Sequence, residues 1–283
     1  MSTHKIIKSS LILGLLLILS AILQVAFAQN SLTPLEKDSL TGLTAQEIIA
    51  KSRLAFYYAD NDGKAKVVMD LINKADQKRL REFTMLRKDY QEGGEQKYFT
   101  YFHKPSDVKD TTFMVYKYPD RDDDRWIFIP AINLVKRIAA NDKYSSFVGS
   151  DFTYEDVSGR KPEEDTHLLL REDKLDGRSC FVVESIPKVS SVYTKRISWI
   201  DKTNFLPLKE EFYDKQNELY RQFEALVVKD INGIPTITKR VMRNIKTGHR
   251  TEVTFETVEY NLGIEDDVFS ERYLRRPPLQ WIR

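Results

Sequence analysis

The spacing of apolar and polar positions changes character once along this chain. From Thr44, "TAQEIIAKSRLAFYY" places Ile48, Ile49, Leu54, Ala55 and Tyr58 at helical intervals, and Thr44 with Glu47 three residues later makes a capping-box pattern. This predicts a helix with one apolar face, which must cover something. After "ADNDGK", a turn by its Asn/Asp/Gly chemistry, the helical signals thin out. "KAKVVMDLIN" mixes apolar residues on both parities. Strand patterns then follow from "KRLREFTMLRKDY" and "EQKYFTYFHK" to "TITKRVMRNI" and "RTEVTFETVEYNL". Turn signals such as "KLDG", Lys-Gln-Asn, Asn-Gly and Thr-Gly separate them. Many strands with short turns mean an antiparallel meander, here of about ten or eleven strands.

The strands carry large apolar residues on one parity and charges on the other. In "RTEVTFETVEY" Val253 and Phe255 form the inward set, with Glu252 and Glu256 outward; Ile197 and Trp199 share a face with Tyr193. Such a sheet must close on itself or be covered. Only one strong helix precedes it, so the sheet is expected to curl around its apolar face. Eight or more strands can enclose a ligand, or the bowl can fill with its own side chains; periodicity leaves both readings open. Dense charge on the polar faces, as in "KRLREF" and "PLKEEFYDK", argues against an outer-membrane barrel, whose outside is apolar.

Composition changes the picture at the N-terminus. Lys5 and Lys8, the run "LILGLLLILSAIL" and Ala26-Phe27-Ala28 make a secretory signal over residues 1–28, cleaved after Ala28. The competing reading is an uncleaved anchor. Residues 29–43 read as a flexible arm. Removing Lys5 and Lys8 equalises basic and acidic residues, so the mature chain has no electrostatic footprint for nucleic acid. The lone Cys180 sits in the strand-like "CFVVE" and reads as a small buried apolar residue.

The chemistry is sparse. His103, His167 and His249 fall at no metal-ligand spacing, and nucleophile-elbow, P-loop and dinucleotide motifs are absent. The expectation is therefore no enzyme, no metal and no cofactor. "DRDDDR" at 120–125 has Arg125 and Ala131 where a calcium loop needs Gly and an acid, so it reads as a hairpin tip. The tail "ERYLRRPPLQWIR" either packs, frays or touches an acidic partner or lipid headgroups.

One segment fits neither period. "SSFVGSDFTYEDVSGR", residues 145–160, has the aromatics of a core and the Gly/Ser/Asp of a loop. Together with "RWIFIPAINLVKRI" before it, this segment resembles the W-x-x-x-P-A and G-S-D-F-[ST]-Y-E-D elements of the outer-membrane lipoprotein-sorting proteins. These form the larger periplasmic branch of the LolA/LolB-like superfamily. "VVESIP", "ISWIDKTNFLPLKEEFYDK" and "TGHRTEVTFETVEYNLGIEDDVFSERYL" agree with it.

The resemblance implies a mainly β fold: a strongly curved antiparallel half-barrel over residues 44–283, with helices and loops plugging the concave face. It implies a periplasmic carrier or chaperone that binds a lipid or the acyl chain of a lipoprotein in an apolar cavity and moves it towards the outer membrane. An inner-membrane exporter of the resistance-nodulation-division type and transient membrane contact come with it as partners. The alternatives are a sensor or adaptor of such an exporter that carries no cargo, and a lipid-modifying enzyme. Expected wall residues are Phe83, Met85, Phe99, Tyr101, Phe113, Val115, Trp126, Phe128, Trp199 and Phe255, although parity is ambiguous in "KYFTYFH" and "FMVYK". Met69, Met85 and Met114 suit an adaptable lining. Phe147, Gly149, Ser150, Asp151, Phe152, Tyr154 and Glu155 are expected to form a lid or rim, or else a static loop closing the barrel end.

Overall fold

The computed structural model describes residues 42–189 and 191–283, so the expected leader and most of the arm lie outside the described residues. Thr44 caps helix α1 (Ala45–Tyr57). Its hydroxyl accepts from the Glu47 N–H at 3.3 Å, and the Glu47 carboxylate accepts from the Thr44 N–H at 2.8 Å. This reciprocal pair satisfies two amides that the first helical turn would leave unpaired.

Thirteen strands follow: β1 (Asp62–Ile72), β2 (Lys78–Asp89), β3 (Gln96–Lys104), β4 (Thr112–Lys117), β5 (Asp124–Ile129), β6 (Leu134–Ile138), β7 (Asp165–Leu175), β8 (Arg178–Pro187), β9 (Lys195–Asp201), β10 (Pro207–Tyr213), β11 (Leu219–Ile231), β12 (Ile234–Asn244) and β13 (Arg250–Tyr260). All join one sheet in the order β6-β5-β4-β3-β2-β1-β13-β12-β11-β10-β9-β8-β7. Two antiparallel meanders thus meet where β1 pairs with β13. The count exceeds the ten or eleven expected in part because β1, ambiguous in sequence, is a full strand with Ala65, Val67, Met69 and Leu71 buried on one face. Asp176-Gly177 and Asn232-Gly233 both carry positive φ, the two-residue hairpin geometry that matches strand twist.

The sheet is a curved half-barrel that does not close: β6 and β7 are its two edges. The chain between those edges, residues 139–164, crosses the concave side and contains a one-turn helix, α2 (Tyr154–Ser158). The convex side of β2–β5 is covered by the C-terminus. There Ile264, Val268, Phe269, Leu274 and Ile282, which include helices α3 (Arg272–Arg275) and α4 (Leu279–Ile282), pack on Leu86, Phe99, Met114 and Phe128. Polar anchors fix this clasp: Thr112 Oγ1 donates to the Leu274 carbonyl at 2.7 Å and Lys88 Nζ to the Ile264 carbonyl at 2.6 Å. The tail neither frays nor stands free, because burying each large apolar side chain contributes about 1.5–3 kcal/mol.

Candidate functional site

Helix α1 lies across the bowl. At one end Ile48 and Ile49 bury against Leu169, Phe181, Val183 and Ile200 of the β7–β9 edge. At the other, the last carbonyls meet donors from the opposite half of the sheet. Arg87 donates to the Tyr57 carbonyl at 2.8 Å and the Asp60 carbonyl at 3.0 Å, and Gln96 donates to the Tyr57 carbonyl at 2.6 Å. A cation at a helix C-terminus satisfies orphan carbonyls and complements the helix dipole.

Segment 145–160 is built by its own sequence. Phe147 and Ser150 close a turn through the Ser150 N–H to the Phe147 carbonyl at 3.0 Å, with Val148 (φ +48°) and Gly149 (φ +80°) both left-handed. The primed turn needs that sign at both central positions, which Gly149 supplies without strain. Thr153 then caps α2, with Asp156 accepting from the Thr153 N–H at 2.7 Å. At the end of α2, Gly159 (φ +82°) passes so close to Tyr57 that a Cβ there would sit 3.0 Å from its ring.

The acidic residues of this segment hold it to the sheet. Asp156 pairs with Arg221 of β11 at 2.7 Å. The Asp151 N–H donates to Thr251 Oγ1 of β13 at 2.9 Å, and its carboxylate accepts from the Thr251 hydroxyl at 2.8 Å and meets His249 Nδ1 at 2.6 Å. Glu155 pairs with Arg160 at 3.0 Å and Lys143 at 2.9 Å. Burial pushes the Glu155 carboxyl up, against the pull of those two cations. Arg137 of β6 pairs with Asp124 and takes no part in this network.

The apolar residues of the segment enter the bowl. Phe147 meets Phe113, Phe102 and Phe83 with ring centroids at 5.4, 5.9 and 6.4 Å. Phe152, Tyr154 and Val157 join the same cluster. The segment is thus a plug that bridges both meanders, deeper than a rim.

Between plug, helix and sheet lie two adjoining cavities with mostly apolar walls, apart from a polar space of about 50 Å³ beside Arg160, Arg196 and Glu210. The larger, about 120 Å³, lies among Ala55, Phe56, Ala65, Tyr98, Ile237 and Val258. The smaller, about 20 Å³, lies among Met69, Phe83, Phe147, Phe152 and Val253. Met85, Val157, Arg240 and Phe255 border both. An apolar void of about 150 Å³ holds a benzene-sized group, so neither space takes a whole acyl chain while the plug is seated.

Strand register places the anticipated wall residues. Phe83, Met85, Phe113, Val115 and Phe255 face the bowl; Met85 and Phe255 border both cavities and Phe83 the smaller one. Phe99, Tyr101, Trp126 and Phe128 face the other way, into the cluster under the C-terminal clasp, together with Met114. Trp199 is also misplaced by the sequence reading. It pairs with Val182 on the face away from α1, where its indole N–H donates to Asp173 at 3.2 Å. The error has a simple origin: both faces of β3–β5 are apolar because both are covered, so alternation marks two faces without saying which is concave. Phe56, Ala65, Val157 and Arg240 were not anticipated. Arg240 shares a parity with Met242, an irregularity that the mixed pattern of "TITKRVMRNI" hides.

Comparison with known proteins agrees with this architecture. A family model described only as that of an uncharacterized protein matches residues 94–276. No curated protein matches. Among solved structures, a domain from Vibrio parahaemolyticus classed with outer membrane lipoprotein-sorting proteins is similar at 31% identity and a TM-score of 0.75, over 82% of this chain and 98% of that one. A DUF1329 family protein from Desulfovibrio piger shares 27% identity at a TM-score of 0.74, over 80% and 97%. A LolA superfamily protein from Nitrosomonas europaea has the same fold, at 20% identity and a TM-score of 0.63, over 82% and 99%. A half-barrel with a plugged concave face, near-complete coverage of these structures and the matching sequence elements lead to one assignment: the chain belongs to the outer-membrane lipoprotein-sorting protein family.

Proposed function

We propose that this protein is a periplasmic carrier or chaperone that shelters an acyl chain of a lipid or lipoprotein between its sheet and its plug, and carries it towards the outer membrane without catalysis. The observation that carries the reading is the pair of cavities beneath a plug that side chains of the sheet hold in place. Bringing a bare chain of about fifteen carbons into water costs on the order of 12 kcal/mol, so passage between membranes needs a cover. The plug offers one. Phe147, Phe152 and Val157 occupy the bowl when it is empty, and a tail takes their place when they withdraw. Cargo exchange is therefore a swap of one apolar filling for another, which keeps the bowl from facing water in either state. An inner-membrane exporter of the resistance-nodulation-division type is the proposed partner, together with transient membrane contact.

The test is native mass spectrometry of protein taken from its host's periplasm. A carrier shows bound lipid mass. Ala65→Phe, which fills the larger cavity with a side chain, lowers that occupancy while circular dichroism stays unchanged. Protein that is lipid-free in every preparation, and that gains no mass from lipid vesicles, would refute the carrier and favour a cargo-free adaptor.

A further inference from the structure

Most buried arginines of this protein have a carboxylate. Arg221 has Asp156 at 2.7 Å, Arg160 has Glu155 at 3.0 Å, Arg125 has Asp123 at 2.7 Å, and Arg196 has Glu210 at 3.4 Å. Arg240 is different. It projects from the middle of β12, opposite Ala225 and Val253, into the space between the two cavities. Its guanidinium lies over three aromatic rings, Phe255 at 4.9 Å, Phe56 at 5.3 Å and Phe152 at 5.4 Å. Its Nε has no hydrogen-bond partner, as is also true of Arg125, Arg196 and Arg221, but among the described residues Arg240 makes no hydrogen bond or ion pair through its terminal nitrogens either, and these are not enclosed by protein.

The neighbouring groups do not supply an acceptor. The Tyr57 hydroxyl donates to the Asp156 carbonyl, and the Asp156 carboxylate is taken by Arg221 and the cap of α2. Ring faces attract a cation but offer no lone pair. A guanidinium keeps its charge at any ordinary pH and carries five N–H donors in a planar fork. Arg240 is half-buried, its terminal N–H groups open onto the cavity with no protein acceptor, and burial presses on its charged form. A structural role would be served as well by Met or Leu at this position.

We propose that Arg240 is an anion-recognition residue: the cavity takes an amphiphile whose carboxylate or phosphate oxygens sit on the Arg240 guanidinium while its tail runs over Phe255 and Met85. The inference rests on the carrier reading and adds the headgroup chemistry to it. The paired oxygens match the guanidinium fork, the tail replaces the plug's apolar side chains, and the three rings shield the ion pair from water. An anionic amphiphile is thereby retained over a neutral one of the same length.

Isothermal titration calorimetry of the wild-type protein with dodecanoate, dodecyl phosphate, dodecanol and inorganic phosphate tests this. At least one of the two anionic amphiphiles is expected to bind at least tenfold tighter than dodecanol, and inorganic phosphate far more weakly than dodecyl phosphate; which anion leads separates a fatty-acid from a phospholipid-like headgroup. Arg240→Gln is expected to bring the anionic ligands to the dodecanol value while leaving dodecanol binding within about twofold. Equal affinity for dodecanol and both anions, or a preference that survives in Arg240→Gln, overturns the headgroup assignment and leaves the carrier standing. Inorganic phosphate binding as tightly as dodecyl phosphate overturns the amphiphile. Absence of binding by every tailed ligand overturns both readings together. The wild-type comparison decides the matter even if Arg240→Gln does not fold.

Discussion

Replacing Phe147 by Ala separates the plug's contribution to stability from its role as a stand-in for cargo. Phe147 is 3% exposed and touches the rings of Phe83, Phe102, Phe113 and Tyr154. Truncating a buried Phe costs about 3–5 kcal/mol. Of this about 2–3 kcal/mol is lost transfer energy, leaving about 1–2 kcal/mol for the void. At about 24 cal/mol per Å³, that void is roughly 40–80 Å³. It adjoins the 20 Å³ cavity that Phe147 already borders. Phe147→Ala should therefore lower the melting temperature by about 6–20 °C, taking about 2–4 °C per kcal/mol for a domain of this size. The void is also new space for a tail. Dodecanol should bind the variant more tightly than wild type, and at about 100 times its Kd should restore about 2.7 kcal/mol. Differential scanning calorimetry with and without dodecanol reads both effects. A loss under about 1 kcal/mol would show that the plug does not seal the bowl. A full loss that dodecanol does not repair would show a filled core where cargo exchange is claimed.

Two further outcomes follow from buried charge. Asp156→Ala removes the partner of Arg221, a residue 6% exposed, and should cost about 3–5 kcal/mol; Arg221→Met in the same chain should recover more than half, and a double variant no more stable than the single one in urea titrations would reject the ion pair as the plug's tie. Lys117 is 2% exposed and donates to the Ser158 carbonyl beneath the plug, and burial brings its ammonium down to about 7 from 10.5. Below pH 7 both folded and unfolded chains hold its proton and the cost is complete; between pH 7 and 10.5 the unfolded chain binds the proton more, so this group makes stability rise with pH. Lys117→Met should be the more stable protein at pH 6 and should lack the gain, on the order of 3 kcal/mol, that wild type shows between pH 7 and 9.5. Parallel pH profiles of the two proteins would contradict the burial argument.

Much of the architecture was legible in the chain because it is a local property. The Thr44–Glu47 box announced α1, the Asp-Gly and Asn-Gly pairs announced tight hairpins, and period-two alternation announced antiparallel strands. The odd composition of residues 145–160 marked the plug, since a segment with core aromatics and turn residues has to enter a core without running through it as a strand. Its depth and its ties to Arg221 and Thr251 were not legible; those partners lie 65 and 100 residues away in sequence.

The cavity wall was decided by tertiary structure alone. Alternation sorts Phe99, Tyr101, Trp126 and Phe128 from Phe113 and Val115, but nothing local says which set faces the bowl. That depends on the chain's last twenty residues returning to cover one side and the plug covering the other. Arg240 belongs to the same class. A basic residue in a strand reads as solvent-facing by itself, and only the approach of Phe56 from α1 and Phe152 from the plug encloses it. Periodicity resolves two faces because side chains alternate across the pleat; inside and outside are settled by what later folds over each face.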